Sequence, residues 1–260
     1  MRADRHGCRT IPPMRVRFVS DLHLDAETPA AAEAFLTLLQ DIRATAAESP
    51  QVLYILGDLF ETWIGDDDPD PFRDEICAAL QRTHGQGVHL YIMAGNRDFL
   101  YGDRFTARTG AIVLPDPTVA TLFGERVLLT HGDVLCTDDT AYQELRSTVR
   151  DPTFQARLLG LPLEARQRLA VAARAGSRAH TATTAANIMD VNEIAVNAAF
   201  ETTHTRVMVH GHTHRPGEHT HLLTEGQTAT RYVLDAWHTE GGVLERVATG
   251  WRRYTIPFPS

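Results

Sequence analysis

Asp21, His23, Asp58, Asn96, His131, His210 and His212 form a set of seven oxygen and imidazole donors without a thiolate. Such donors suit Mn2+, Fe2+ or a similar divalent ion, and Zn2+ also accepts them. The spacing in Asp21-Leu22-His23 and in His210-Gly211-His212 places alternate side chains on one side of an extended segment, so each short run offers two donors to one place. Seven donors are too many for one ion. They suffice for two if one carboxylate bridges, with positions left for water and substrate.

Each donor group stands where a short apolar run stops. Val16 to Val19 runs into Ser20-Asp21-Leu22-His23, Val52 to Leu56 into Gly57-Asp58, and Val88 to Met93 into Gly95-Asn96-Arg97-Asp98. Val127 to Thr130 runs into His131-Gly132-Asp133, and Arg206 to Val209 into His210-Gly211-His212-Thr213-His214. The runs have the length and the Val, Ile, Leu and Tyr content of buried strands. Helical patterns fill the gaps between the first three, from Ala30 to Ala47, with Phe35, Leu38, Leu39 and Ile42 on one stripe, and from Phe72 to Thr83. Alternating strands and helices predict a layered α/β fold. Ligands in such folds gather at the carboxyl ends of strands.

The stretch from Asp139 to Phe200 reads differently, with many alanines and helical periodicity. It is expected to be a helical insertion of about residues 139–200 within a catalytic domain spanning 14–260. Its middle, Asp151 to His180, sets Arg157, Arg166, Arg168, Arg174 and Arg178 among leucines. It reads either as an amphipathic helix pair on the core or as a basic, apolar lid. Residues 1–13 have no apolar core of a secretory signal and are expected to be a loose extension.

All 25 basic residues are arginine, which codon bias explains, and the formal net charge is −8. That balance argues against a nucleic-acid partner held by a general basic surface. Cys8, Cys77 and Cys136 fit neither a disulfide framework nor a zinc clip, so a reducing cytoplasmic location is expected. No protein partner is inferred.

In order and register, Asp-x-His, Gly-Asp, Gly-Asn-Arg-Asp, His-Gly-Asp and Gly-His-Thr-His resemble the calcineurin-like metallophosphoesterases, from Val16 to about His238. The resemblance implies a layered β-sandwich flanked by helices. It implies one ion held by Asp21, His23, Asp58 and His212, and a second held by Asp58, Asn96, His131 and His210, with Asp58 bridging. Two such ions, about 3.5–4 Å apart, deprotonate a bridging water and clamp both oxygens of a phosphoryl displacement. Arg97 is placed to meet phosphate charge through its fork of donors. Asn96, Arg97 and His210 are therefore the expected catalytic residues. Asp98 and Asp133 are expected to brace turns, His214 to support the site or stand idle, and His219, His221 and His238 to lie outside it.

Longer stretches narrow the resemblance. Leu53 through Asp67, Gly95 through Leu100, His131 through Asp139, Ile188 through Asn192 and Ala236 through Gly241 are similar to the UDP-2,3-diacylglucosamine pyrophosphatases of lipid A biosynthesis. That similarity implies attack at the α-phosphorus of a lipid-linked UDP-sugar, release of UMP, and manganese as the usual metal. It implies substrate contacts at Asn96, Arg97, Asp139, Arg174, Ser177, Thr181, Thr184 and His210. Thr181 and Thr184 depart from the pattern, which has Asn and Lys there, and Ala94 stands where a histidine commonly does. A substrate with two acyl chains implies peripheral contact with the cytoplasmic face of the inner membrane. The alternatives are a metallophosphoesterase for cyclic nucleotides, phosphoproteins or nucleic acid, and a non-catalytic scaffold on the same fold.

Overall fold

A computed structural model describes residues 14–185 and 188–259; the extension 1–13 and the side chain of Thr181 lie outside the described residues. In chain order the elements are β1 (Arg15–Val19), α1 (Pro29–Ala46), β2 (Gln51–Leu56), α2 (Pro71–His84), β3 (His89–Met93), α3 (Asp103–Thr109), β4 (Ile112–Leu114), β5 (Thr118–Leu122) and β6 (Glu125–Leu129). There follow α4 (Thr140–Val149), α5 (Pro152–Leu159), α6 (Leu163–Thr183), α7 (Glu193–Thr203), β7 (Val207–His210), β8 (Gly217–Leu222), β9 (Thr228–Val233), β10 (Glu240–Val247) and β11 (Gly250–Pro257).

Two sheets result, in the orders β11-β10-β1-β2-β3-β4 and β5-β6-β7-β9-β8. Strands β1 to β4 are mutually parallel, as are β6, β7 and β9. The two-residue period of a strand divides their side chains between layers. Val52, Tyr54 and Leu56 meet Val127, Leu129, Val207 and Val209 between the sheets. Leu53 and Ile55 turn the other way, onto Phe35, Leu38, Leu39 and Ile42 of α1. Leu128 and Met208 pack against Val196 and Phe200 of α7. The order of layers is helices, sheet, sheet, helix: the expected sandwich flanked by helices.

The five expected strands form, three in one sheet and two in the other. Six more were not anticipated. β4 is only three residues long, and β8 and β11 are edge strands with mixed exposure. β4 is apolar throughout but too short to stand out, and β8 and β11 lack the continuous apolar run that marks a strand buried on both faces.

The helical interval differs from expectation at its C-terminal end. α7 buries Val196 and Phe200 and belongs to the layered core, whereas α4, α5 and α6 bury no apolar side chain among the described residues. Arg166, read as part of a basic lid surface, is buried instead, with its guanidinium on Asp67 and the Ile64 carbonyl. Phe200→Ala is expected to cost about 3–5 kcal/mol of stability, while Leu169→Ala on exposed α6 stays within about 0.5 kcal/mol. Urea unfolding of both variants checks the division.

Candidate metal centre and active site

The loops after β1 and β2 continue side by side beyond their strands. Asp21 N–H donates to the Gly57 carbonyl at 3.1 Å and His23 N–H to the Asp58 carbonyl at 3.0 Å. The loop after β7 is tied to its neighbour in the same sheet by Gly211 N–H donating to the His131 carbonyl at 2.8 Å, and across the sandwich by His212 N–H donating to Asp21 Oδ2 at 2.8 Å. These bonds join donors from both sheets at one edge. Gly95 lets two of the loops touch, since a Cβ there would collide with the Asp58 side chain.

Non-glycine residues with positive φ are uncommon. Here Asp21, His23, Asp58, His212 and His214 all lie between 48° and 66°. Such backbone costs on the order of 1–3 kcal/mol per residue and collects at functional sites.

Asp21, Asp58 and His131 bring ligand atoms within 4.8 Å of one another, and so do Asp21, His23 and His214. Asp21 is thus common to both groups. His131 Nδ1 lies 2.9 Å from the Leu56 carbonyl and donates to it, which turns Nε2 toward Asn96 Oδ1 at 3.1 Å and Asp58 Oδ2 at 3.9 Å. An imidazole lone pair, an amide oxygen and a carboxylate oxygen facing one another need a proton or a cation between them. Asp21 Oδ1 and His23 Nε2 are likewise buried, with only His214 Nε2 at 3.4 Å and Asp58 Oδ2 at 3.8 Å beside them, while His23 Nδ1 is held by Glu61. These donors fit divalent cations.

The electrostatics agree. Burial alone would push His131 down, but Asp58, Asp133 and Asp21 outweigh it and raise its pKa to about 9. His23 is raised against its own burial by Glu61, Asp58 and Asp21. Burial, then the neighbouring His131, lowers His212 to about 4, leaving its imidazole neutral and able to ligate. His212 also stacks edge-on to His131 with ring centroids 5.0 Å apart.

His210 departs from expectation. Its Nδ1 lies 2.9 Å from the Gly211 carbonyl and its Nε2 3.0 Å from Arg231 Nη1, so both ring nitrogens are engaged away from the carboxylates. His214 departs the other way. Its Nε2 is 3.4 Å from Asp21 Oδ1, and the same two-residue spacing that pairs His210 with His212 signals it from sequence. His221 is engaged elsewhere, between Glu193 and Arg231.

Among the expected substrate contacts, Arg97 Nη2 stands 3.3 Å from Ser177 Oγ, bringing α6 over the rim of the donor cluster. Arg174 lines an adjoining cavity of about 170 Å³ of mixed character, with Leu24, Ile64 and Phe72 beside Asp68, Asp70 and Arg73. Asp139 is occupied internally: one oxygen caps α4 at Tyr142 N–H and the other meets His180 Nε2 at 2.7 Å. Thr184 Oγ1 lies 3.3 Å from the same imidazole.

Residues 14–216 match the family described as calcineurin-like phosphoesterase. The chain belongs to that family. It is 46% identical over 245 residues to a UDP-2,3-diacylglucosamine hydrolase of Escherichia coli and 45% identical to one of Enterobacter sp.. Each alignment covers 94% of this chain and all of the relative. A solved structure described as a novel archaeal phosphodiesterase aligns over 93% of this chain and 99% of its own, with 11% identity and a TM-score of 0.45.

In this calcineurin-like phosphoesterase two further buried carboxylates brace the centre, as the sequence led us to expect. Asp98 accepts from the backbone N–H groups of Gly95 (2.7 Å), Leu59 (2.8 Å), Phe60 (3.3 Å) and Asp58 (3.3 Å), and from the Tyr101 hydroxyl. Burial, and then Asp58, raises its pKa to about 6. Asp133 holds α4 through Arg146 Nε at 3.0 Å and the Tyr142 hydroxyl at 3.1 Å. Arg150, also held near Asp133, donates to the carbonyls of Ala94 and Gly95 just before Asn96. Asp98→Ala strands buried N–H groups at about 1–3 kcal/mol each. It is expected to lower the melting temperature by about 10 °C or more and to reduce bound divalent metal, as read by calorimetry and elemental analysis.

Proposed function

We propose that this phosphoesterase hydrolyses the pyrophosphate bond of UDP-2,3-diacylglucosamine at the α-phosphorus, giving UMP and 2,3-diacylglucosamine 1-phosphate (lipid X). The near end-to-end match to relatives of that name carries the reading. The placement of Ser177 on Arg97 supports it, because it sets two polar groups from separate elements at one rim.

Two divalent cations, with Mn2+ suited to the donors, would be held by Asp21, His23, Asp58 and His212 and by Asp58, Asn96, His131 and His210. His210 takes that role only by giving up its present contact. When bound, the cations lower the pKa of water and neutralise phosphoryl charge. Arg97 forks onto the phosphoryl oxygens, and Asn96 orients them. Ser177 and Arg174 grip the substrate from the lid side, and Asp139 and Thr184 would join them only by giving up their present contacts with His180. Lipid X is a phosphate monoester whose second pKa near 6 lets it depart without a strong general acid.

The cavity beside Arg174 is smaller than the roughly 300–1,000 Å³ of a whole ligand site and accepts only part of the substrate. The rest of the lipid stays at a membrane, on the cytoplasmic face of the inner membrane by this reading. No helix among the described residues is long and apolar enough to cross a membrane. Instead α5, α6 and the turn between them expose Phe154, Leu159, Leu161, Leu169 and Val171 beside Arg157, Arg168 and Arg178. Apolar and cationic groups on one surface suit an anionic bilayer interface.

With Mn2+ and UDP-2,3-diacylglucosamine, the purified protein is expected to release UMP carrying oxygen from heavy-isotope water. Label in the sugar phosphate, or no UMP, refutes the reading. Asp58→Ala should lower turnover more than about a hundredfold and metal content at both positions. In vesicle sedimentation, binding to anionic vesicles should weaken with salt and in the Arg157→Ser, Arg168→Ser double variant. Binding absent at low salt removes the membrane role.

A further inference from the structure

The lid helix α6 is held in an unusual way. Among the described residues its one buried side chain is Arg166, so apolar packing does not fix its position. Arg166 Nη1 donates to the Ile64 carbonyl at 2.6 Å and to Asp67 Oδ1 at 2.7 Å, Nη2 donates to Asp67 Oδ2, and Nε donates to the Leu161 carbonyl at 3.2 Å. Gly65, at φ +131°, opens the slot. A Cβ there would collide with Arg166 Nη1 and come within 2.9 Å of Leu159 Cδ2.

The loop that receives Arg166 also touches the centre. Glu61 Oε2 lies 3.1 Å from His23 Nδ1, and Trp63 N–H donates to the Arg97 carbonyl at 3.1 Å. Asp66 caps α3 at Gly102 and Phe105 and accepts from Trp63 Nε1. On α6, Ser177 lies about three turns beyond Arg166 and therefore on nearly the same face, where it meets Arg97. One rigid loop and one rigid helix thus connect the clasp to the substrate side of the site.

We propose that Arg166 is a positioning residue whose clasp on the Ile64 carbonyl and Asp67 sets the placement of α6, and so the affinity for the lipid-linked sugar rather than the phosphoryl chemistry. This rests on the function proposed above and deepens it. The guanidinium fork is essential to it, since a lysine ammonium cannot bind a carboxylate and a carbonyl in the same plane.

The test compares wild type, Arg166→Met, Arg166→Lys and Asp67→Asn, each loaded with Mn2+. Arg166→Met should raise the KM for UDP-2,3-diacylglucosamine by about tenfold or more, the equivalent of one charge-assisted contact, with kcat within about threefold. Arg166→Lys should recover only part of that affinity. Amides of 163–183 should exchange faster in Arg166→Met, while bis(p-nitrophenyl) phosphate, too small to need the lid, is cleaved at the wild-type rate. Asp67 is half-exposed, so Asp67→Asn keeps the fold and should shift KM in the same direction, less far. An unchanged KM, or equal losses on both substrates, overturns the proposal. If wild type releases no UMP, the proposed function fails while exchange still reads the clasp, and unaltered exchange in the variants overturns it separately.

Discussion

Four carboxylates buried at one edge of two facing sheets govern most of what surrounds them. Asp21, Asp58, Asp98 and Asp133 are each at most 2% exposed, and an ionised carboxylate taken from water is expensive unless it is paired and hydrogen-bonded. Asp98 is answered by backbone N–H groups and Asp133 by Arg146 of α4 and by Arg150 just after it. Asp21 and Asp58 face imidazoles instead. The raised pKa of His131 expresses the same excess of negative charge, which divalent cations would satisfy in place of a proton.

That arrangement requires backbone a short peptide would not adopt. The left-handed conformations at Asp21, His23, Asp58, His212 and His214 persist because the strands before them are locked on both sides. β1 pairs with β2 and β10, and β7 with β6 and β9. The core between the sheets, from Phe18 and Tyr54 to Val209 and Tyr232, keeps the two loop sets facing. Packing far from the chemistry therefore sets the positions of the ligand atoms.

The lid inverts the usual relation between a helix and its core. On α6 Arg166 is buried and Arg174 and Ser177 are half-buried, while Leu169 is exposed. A surface helix normally does the reverse. Under the proposed function that less exposed face would meet a phosphate-bearing substrate. The inversion also leaves α6 dependent on polar contacts for its placement.

Much of the centre was legible in the sequence, because each donor sits where an apolar run ends and because the stripe Phe35, Leu38, Leu39 and Ile42 announces α1. Strand-end position depends on local pattern, and local pattern is what a chain displays directly. The sequence alone determined the layered α/β class, the five site strands, and the bracing roles of Asp98 and Asp133. Which sheet each strand joins was decided by tertiary structure, as were the core role of α7 and the turn of His210 toward Arg231. The burial of Arg166 was decided there too. Its partners, Ile64 and Asp67, lie about a hundred residues away, and a side chain's burial depends on what the fold brings against it, which neighbours along the chain do not encode.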